Sequence, residues 1–352
     1  MIALRKRRTS PIGLYLGQKT VTLIQLTNPT GPASVQAIAY GALPHTDDLT
    51  SEQRDQAIAQ TLRTMISDHP FRGKRVISCL GEQELFVQNV RLPQLADEEF
   101  DQAIHWEAAD RLPYPIDNAE VRHLFAGQVR QDAATKQEVI VMACHHSVIQ
   151  RHTRMLERAG LSPIAIDVEP CAIMRPFCLD HNDQQEAARV AYLHVGERNA
   201  ILIFAEGNTI LFMKYIAVGG NNFNQAVAQE LDLDIDEAIR IRTEFQSASG
   251  HDDELQTAIQ DAINTPVEAI SKEIEMCHRY QQVTFRGRNL EEIILTGCEA
   301  SPWLAQYFSN RLGIKCQFGN PFHNLLCWPN CRAALENPGR WTTALGLALY
   351  SP

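Results

Sequence analysis

Two short stretches of this 352-residue chain carry residues suited to holding an anion. The first runs Ile12-Gly13-Leu14-Tyr15-Leu16-Gly17-Gln18-Lys19-Thr20-Val21-Thr22-Leu23-Ile24, and the second Ala191-Tyr192-Leu193-His194-Val195-Gly196-Glu197-Arg198-Asn199-Ala200-Ile201-Leu202-Ile203. Each reads apolar strand, glycine, three polar residues, apolar strand. The glycine frees a tight turn from φ restrictions, so backbone N–H groups can line a loop that holds an anion. Gly17, Gln18, Lys19 and Thr20 are the candidates in one turn, and Gly196, Glu197 and Arg198 in the other, with Lys19 and Arg198 able to meet negative charge. Copies so far apart exceed the ~20–50-residue period of a solenoid. They predict two similar domains facing each other, with the cleft between them as the site.

Other reactive residue types are not grouped for chemistry. The lone His194 at a strand end has no serine or cysteine placed for it to activate. His145-His146 and Cys277-His278 lack further ligands at usable spacing, and the nine cysteines form no Cys-x-x-Cys pair and no zinc pattern. Most lie in apolar runs, such as Ile77-Ser78-Cys79-Leu80, and read as reduced buried hydrophobes of a cytoplasmic protein.

Positioning two such turns calls for two lobes, and the chain is long enough to give each a core. Residues 10–91 with 160–185 are expected to form the first lobe, 92–159 an inserted subdomain, and 186–352 the second lobe, mainly helical over 220–288. Asn28-Pro29-Thr30-Gly31-Pro32 reads as a turn, and residues 180–188 as the polar interlobe connection. Strands are expected at 34–39, 74–80 and 84–91, with a helix over 51–67. In the insertion, Asp97-Glu98-Glu99 opens a helix that Leu112-Pro113-Tyr114-Pro115 must end; strands at 121–129 and 138–144 and a helix over 147–159 follow. On the first of these helices Phe100, Ala103, Ile104 and Ala108 share a face, with Trp106 almost opposite. Glu107 falls on the apolar side, and Arg111 at i+4 is its obvious donor. Downstream, Asn222 is expected to cap a helix carrying Phe223, Val227 and Leu231. Thr265-Pro266-Val267-Glu268 has the form of a capping box, so a long helix is expected to start at Pro266. Residues 341–349 read as a final helix of the second lobe.

A net charge of −10 without a basic stripe argues against nucleic acid. The start, with Arg5, Lys6, Arg7 and Arg8 after a short apolar run, is not a secretory signal, and no stretch reaches the ~18 apolar residues of a membrane span.

The paired hairpins resemble the actin-like superfamily, in which two such turns clamp a nucleotide. Within it the chain is most similar to the PilM family of type IV pilus assembly, an FtsA-like group. The likeness also runs through Trp106-Glu107-Ala108, Leu112-Pro113-Tyr114-Pro115-Ile116, Asp167-Val168-Glu169-Pro170, Gly219-Gly220-Asn221-Asn222-Phe223, Leu295-Thr296-Gly297, Asn320-Pro321-Phe322 and Ala344-Leu345-Gly346-Leu347-Ala348-Leu349. It implies an α/β, actin-like two-lobed fold with an FtsA-like small subdomain. It also implies Gly219, Gly220, Arg242, Gly297 and Cys298 as further nucleotide-side positions.

The resemblance breaks where a metal would be held. The family usually offers an acidic residue two before each hairpin glycine, and here those positions hold Tyr15 and His194, poor magnesium ligands. On the adenosine side Cys298 stands for a paired glycine, and Ile239 and Arg242 for a glutamate and a lysine that commonly meet ribose and base; in the first hairpin Thr22 stands for a common lysine. Glu169 occupies the place of a water-orienting residue, or is simply a carboxylate at a helix N-terminus. The expectation is a degenerate pocket: ATP, if it binds, binds weakly and without turnover, and no magnesium is expected. The family's subdomain and the neighbouring edge of the first lobe form a groove for the N-terminal segment of PilN, a membrane protein. Trp106, Glu107, Pro113, Tyr114, Pro115 and the strand 84–91 are implied to shape it. A cytoplasmic, non-catalytic scaffold follows, reaching the inner membrane only through that partner, with the cytoplasmic assembly ATPase as a second candidate partner. The alternatives are an active ATP-hydrolysing member, an FtsA-like division protein, which would use a C-terminal amphipathic tail, and a sugar kinase, for which no aspartate base is located.

Overall fold

The computed structural model describes residues 8–28, 33–44, 49–131, 134–178, 188–247, 253–285, 289–325 and 336–350. Expectations for Arg5, Lys6 and Arg7, for the turn at 29–32, for most of the connection 180–188 and for Cys327 and Cys331 fall outside them. The chain divides into two compact units: Met1–Asn182 with Thr209–Leu211 and Pro321–Pro352, and Asp183–Asn208 with Phe212–Asn320.

Unit 1 is built on a six-stranded sheet of β1 (Arg8–Thr9), β2 (Ile12–Leu16), β3 (Thr20–Asn28), β4 (Ser34–Ala42), β5 (Arg75–Leu80) and β9 (Ser162–Val168). β2 and β3 form the antiparallel hairpin, whereas β2 pairs with β5, and β5 with β9, in parallel. Helix α1 (Ser51–Asp68), opened by a Thr50–Gln53 capping box, and helix α3 (His146–Arg158) bury Leu62, Met155 and Leu156 against Leu14, Leu23 and Val76. Beyond β5 a separate three-stranded sheet forms from β6 (Phe86–Pro93), β7 (Ala119–Gln131) and β8 (Ala134–His145), in the order β6-β8-β7. Helix α2 (Asp97–Ala109) lays Ile104 and Ala108 on Val90, Leu92, Val139 and Val141 of this sheet.

Two expected boundaries of the insertion move accordingly. The strand at 84–91 leaves the main sheet, because Val90 and Leu92 find their apolar partners on β8. The helix expected over 147–159 packs with α1 on the main sheet, where Met155 and Leu156 are buried.

The largest correction concerns the C-terminal segment, expected in the second lobe. Its helix, Thr342–Ala348, is buried along its whole length and packs in unit 1 against β2 and against helix α4 (Glu169–Met174). Ala344 and Leu345 join Ile24, Leu26 and Trp341, and Leu347 meets Ile77 and Ala172. Contact is backbone to backbone: a Cβ on Gly13 would lie 2.1 Å from the Ala344 carbonyl oxygen, and one on Gly346 1.8 Å from that of Ala172. Arg175 ties the joint, donating to the Gly346 carbonyl at 2.6 Å and pairing with Asp167 at 2.7 Å.

Unit 2 repeats the plan. β10 (Arg189–Val195) and β11 (Ala200–Glu206) form the antiparallel hairpin, β10 pairs in parallel with β13 (Glu292–Thr296), and β13 with β14 (Lys315–Phe318). β12 (Thr209–Ile216) borders β11. Helices α5 (Gly220–Glu230), α6 (Ile235–Ser247), α7 (Asp253–Thr284) and α8 (Pro302–Leu312) complete the unit. Two local expectations fail. Helix α7 starts before Pro266 and carries it inside, because Ile259 and Ile263 continue the buried face of Val267, Ile270 and Ile274. That packing outweighs the one hydrogen bond that proline removes. Asn222 is the third residue of α5 rather than its cap, and its Oδ1 accepts from Gly219 N–H at 3.0 Å.

Candidate functional site

The two hairpin turns close in the same way. Gly17 N–H donates to the Thr20 carbonyl at 2.8 Å, and Gly196 N–H to that of Asn199 at 2.9 Å. Gln18 and Lys19 are exposed at one tip and Arg198 at the other, while Thr20 and Glu197 are half-buried.

In unit 1 the carboxyl ends of the parallel strands β2, β5 and β9 bring Tyr15, Gly81 and Glu169 together, at the edge where α/β sheets gather ligands. Tyr15, two residues before Gly17, hydrogen-bonds through its hydroxyl to the buried Glu169 carboxyl. Burial pushes that carboxyl up to about 7, the Tyr15 bond pulling the other way. A pKa near neutrality suits a general base, but Glu169 is only 4% exposed. Thr22, on β3, is buried.

Unit 2 assembles more of the implied positions. The carbonyls of Gly196 and Glu197 accept from Gly220 N–H at 3.0 Å and Asn221 N–H at 2.7 Å, so the second turn docks on the start of α5. Gly219 makes the approach feasible, since a Cβ there would lie 2.6 Å from the Arg198 carbonyl carbon. After β13, Gly297 adopts φ +105° with its Cα against the backbone of Val195. Glu299 N–H then donates to the Val195 carbonyl at 3.1 Å. This turn leaves Cys298 half-buried and sends the Glu299 side chain to Gly220, where a Cβ would meet its Oε1 at 2.2 Å. Arg242 of α6 pairs with Glu299, donates to the Gly220 carbonyl at 3.2 Å and to Asn224 Oδ1, and lies 5.2 Å over the Phe223 ring. Thus Gly196, Glu197, Gly219, Gly220, Arg242, Gly297 and Cys298 do converge. Glu299 was missed by sequence reasoning; its only signal is its place one residue past Cys298 in the glycine turn.

His194, the counterpart of Tyr15, is 4% exposed, and burial pushes it down to about 4, so it is neutral at pH 7. Its Nδ1 has no hydrogen-bond partner. Among the described residues no group of three or more His, Cys, Asp and Glu side chains could hold a metal ion. His145 instead caps α3, accepting from Ser147 N–H at 3.1 Å. The described cysteines are free thiols, and burial pushes Cys171 up to about 12, which leaves it unreactive.

On the small sheet, Trp106 stands 74% exposed on α2, opposite the buried Ile104 and Ala108. Glu107 pairs with Arg111 at 2.8 Å, both half-exposed, so the donor expected at i+4 is present. Pro113 and Pro115 are exposed, and the half-buried Tyr114 sets its ring edge-on to His145 with centroids 5.0 Å apart.

With this geometry in place, comparisons with known proteins point one way. The family model described as type IV pilus assembly protein PilM matches residues 13–351. A solved PilM-PilN type IV pilus biogenesis complex matches with a TM-score of 0.80 at 20% identity, over 97% of this chain and 98% of that one. The ethanolamine utilization protein EutJ from Carboxydothermus hydrogenoformans matches with a TM-score of 0.55 at 12% identity, over 98% and 90%. The fold is the actin-like α/β fold that the paired hairpins implied.

Proposed function

Because the chain belongs to the PilM family of type IV pilus assembly proteins, we propose that it is a non-catalytic cytoplasmic scaffold of a pilus or related secretion or DNA-uptake machine. It grips the N-terminal segment of a PilN-like membrane protein and is held at the inner membrane by that grip. No helix among the described residues is long and apolar enough to cross a membrane, and the partner supplies the attachment. The observation that carries the reading is Trp106, a large aromatic left exposed on a helix whose other face buries Ile104 and Ala108. Exposed Pro113 and Pro115 and the ring of Tyr114 add rigid apolar surface of the kind that captures extended peptides. The similar solved protein was captured with PilN. Non-catalytic action is supported by a phenol and a neutral imidazole where metal-binding carboxylates would be needed. Phosphate release with magnesium that Glu169→Gln abolishes would overturn this part.

Calorimetry with a synthetic peptide copying the N-terminal segment of a PilN-like membrane protein tests the capture. Trp106→Ala is expected to weaken binding at least tenfold, roughly the loss of a peripheral aromatic anchor. The melting temperature stays unchanged, because the side chain buries little within its own fold. Equal affinity of the two proteins removes Trp106 from the contact surface, and no binding by the wild type removes the partner.

A further inference from the structure

We propose that Glu299 is a resident anion: its carboxylate, paired with Arg242 at the start of α5, fills nucleotide space in unit 2, and this half of the clamp takes no nucleotide in the wild-type protein.

A helix start attracts phosphate because its first N–H groups lack partners and its dipole is positive there. In α5 those groups are already engaged. Gly220 N–H and Asn221 N–H donate to the Gly196 and Glu197 carbonyls, and Asn222 N–H and Phe223 N–H to the Gly219 carbonyl at 2.9 and 3.3 Å. The N–H of Gly219 goes to Asn222 Oδ1, and that of Gly196 to Asn199. The glycines that would admit a phosphate have admitted the chain's own carbonyls.

The Glu299 carboxylate lies against the first residue of α5, where the helix dipole favours an anion, and Arg242 neutralises it from the other side. Both side chains are nearly out of solvent, at 13% and 8% exposure. An incoming phosphate would meet a like charge there, and Arg242, the cation beside it, is already paired. The room that Gly220 leaves is taken by Glu299 Oε1, which a Cβ at that position would overlap at 2.2 Å. The residues present therefore do not fit the nucleotide that the fold implies. This conclusion stands or falls independently of partner capture by Trp106.

Calorimetry and thermal melting of the full chain with ATP and with inorganic phosphate test it. Wild-type protein is expected to give no heat and no shift of melting temperature with either. Glu299→Ala and the shape-keeping Glu299→Gln melt lower, since each strands a buried guanidinium. Added ATP or phosphate recovers part of that loss by pairing with Arg242. Their affinity for ATP exceeds that of the wild type at least tenfold, and Glu299→Ala combined with Arg242→Ala loses the gain. Clear binding of ATP by the wild type overturns the proposal whatever the variants do. So does a folded Glu299→Gln that binds neither anion.

Discussion

A Gly297→Ala chain is expected to lose about 4 kcal/mol of stability, near the upper end of what single substitutions cost. Two effects add. An alanine at φ +105° is strained by roughly 1–3 kcal/mol. Its Cβ would also fall 2.2 Å from the Val195 carbonyl oxygen and 2.7 Å from two further backbone atoms of that residue. Those atoms cannot swing aside, because β10 is held by ladders to β11 and β13. Forcing such an overlap costs roughly 1–3 kcal/mol more. Gly313 separates the two contributions. It has φ +64° and nothing within 4 Å of a Cβ, so Gly313→Ala carries the strain alone and costs about 1 kcal/mol. Urea denaturation of both variants checks the pair; equal losses would mean that Gly297 is there only for its dihedral.

Glu169→Gln is expected to change how stability depends on pH. The carboxyl titrates at about 7 in the fold, against 4.5 for a free side chain. Between those values the native chain keeps a proton that the unfolded chain has released, so wild-type stability falls as pH rises through the interval. Below it the group adds no penalty. Above it the penalty is complete, about 3 kcal/mol at 1.36 kcal/mol per unit. Glutamine cannot ionise and can still accept from Tyr15. The variant should therefore match the wild type near pH 4 and exceed it near pH 8. Denaturant midpoints at the two pH values measure the gap; a gap that does not widen with pH would show that Tyr15 holds the carboxylate ionised.

The hairpin pair was legible because apolar alternation broken by one glycine is a local signal, and both turns close on the residue three positions later. Trp106 was legible for the same reason, helical periodicity placing it opposite Ile104 and Ala108. What escaped depends on distant partners. Nothing near Gly346 announces that its carbonyl accepts from Arg175, 171 residues earlier. The last helix, expected in the second lobe, belongs to unit 1. Pro266 is a strong local stop signal that a continuous buried face overrides. Glu299 carries no periodic signature at all; its role exists only once Gly297 has turned the chain over Val195. That Tyr15 and His194 are not carboxylates was readable from residue type, whereas the hydrogen bond that joins Tyr15 to Glu169 was not.

The return of Thr342–Ala348 to β2 makes unit 1 discontinuous along the chain. During synthesis its sheet emerges first, yet the face around Gly13 and Ile77 stays bare until every residue of unit 2 has been translated. Unit 2, whose segments lie close together, can reach its native state ahead of it. A chain ending at Asn320 would thus hold all of unit 2 while the sheet of unit 1 keeps an apolar face uncovered, a natural point for chaperones to engage.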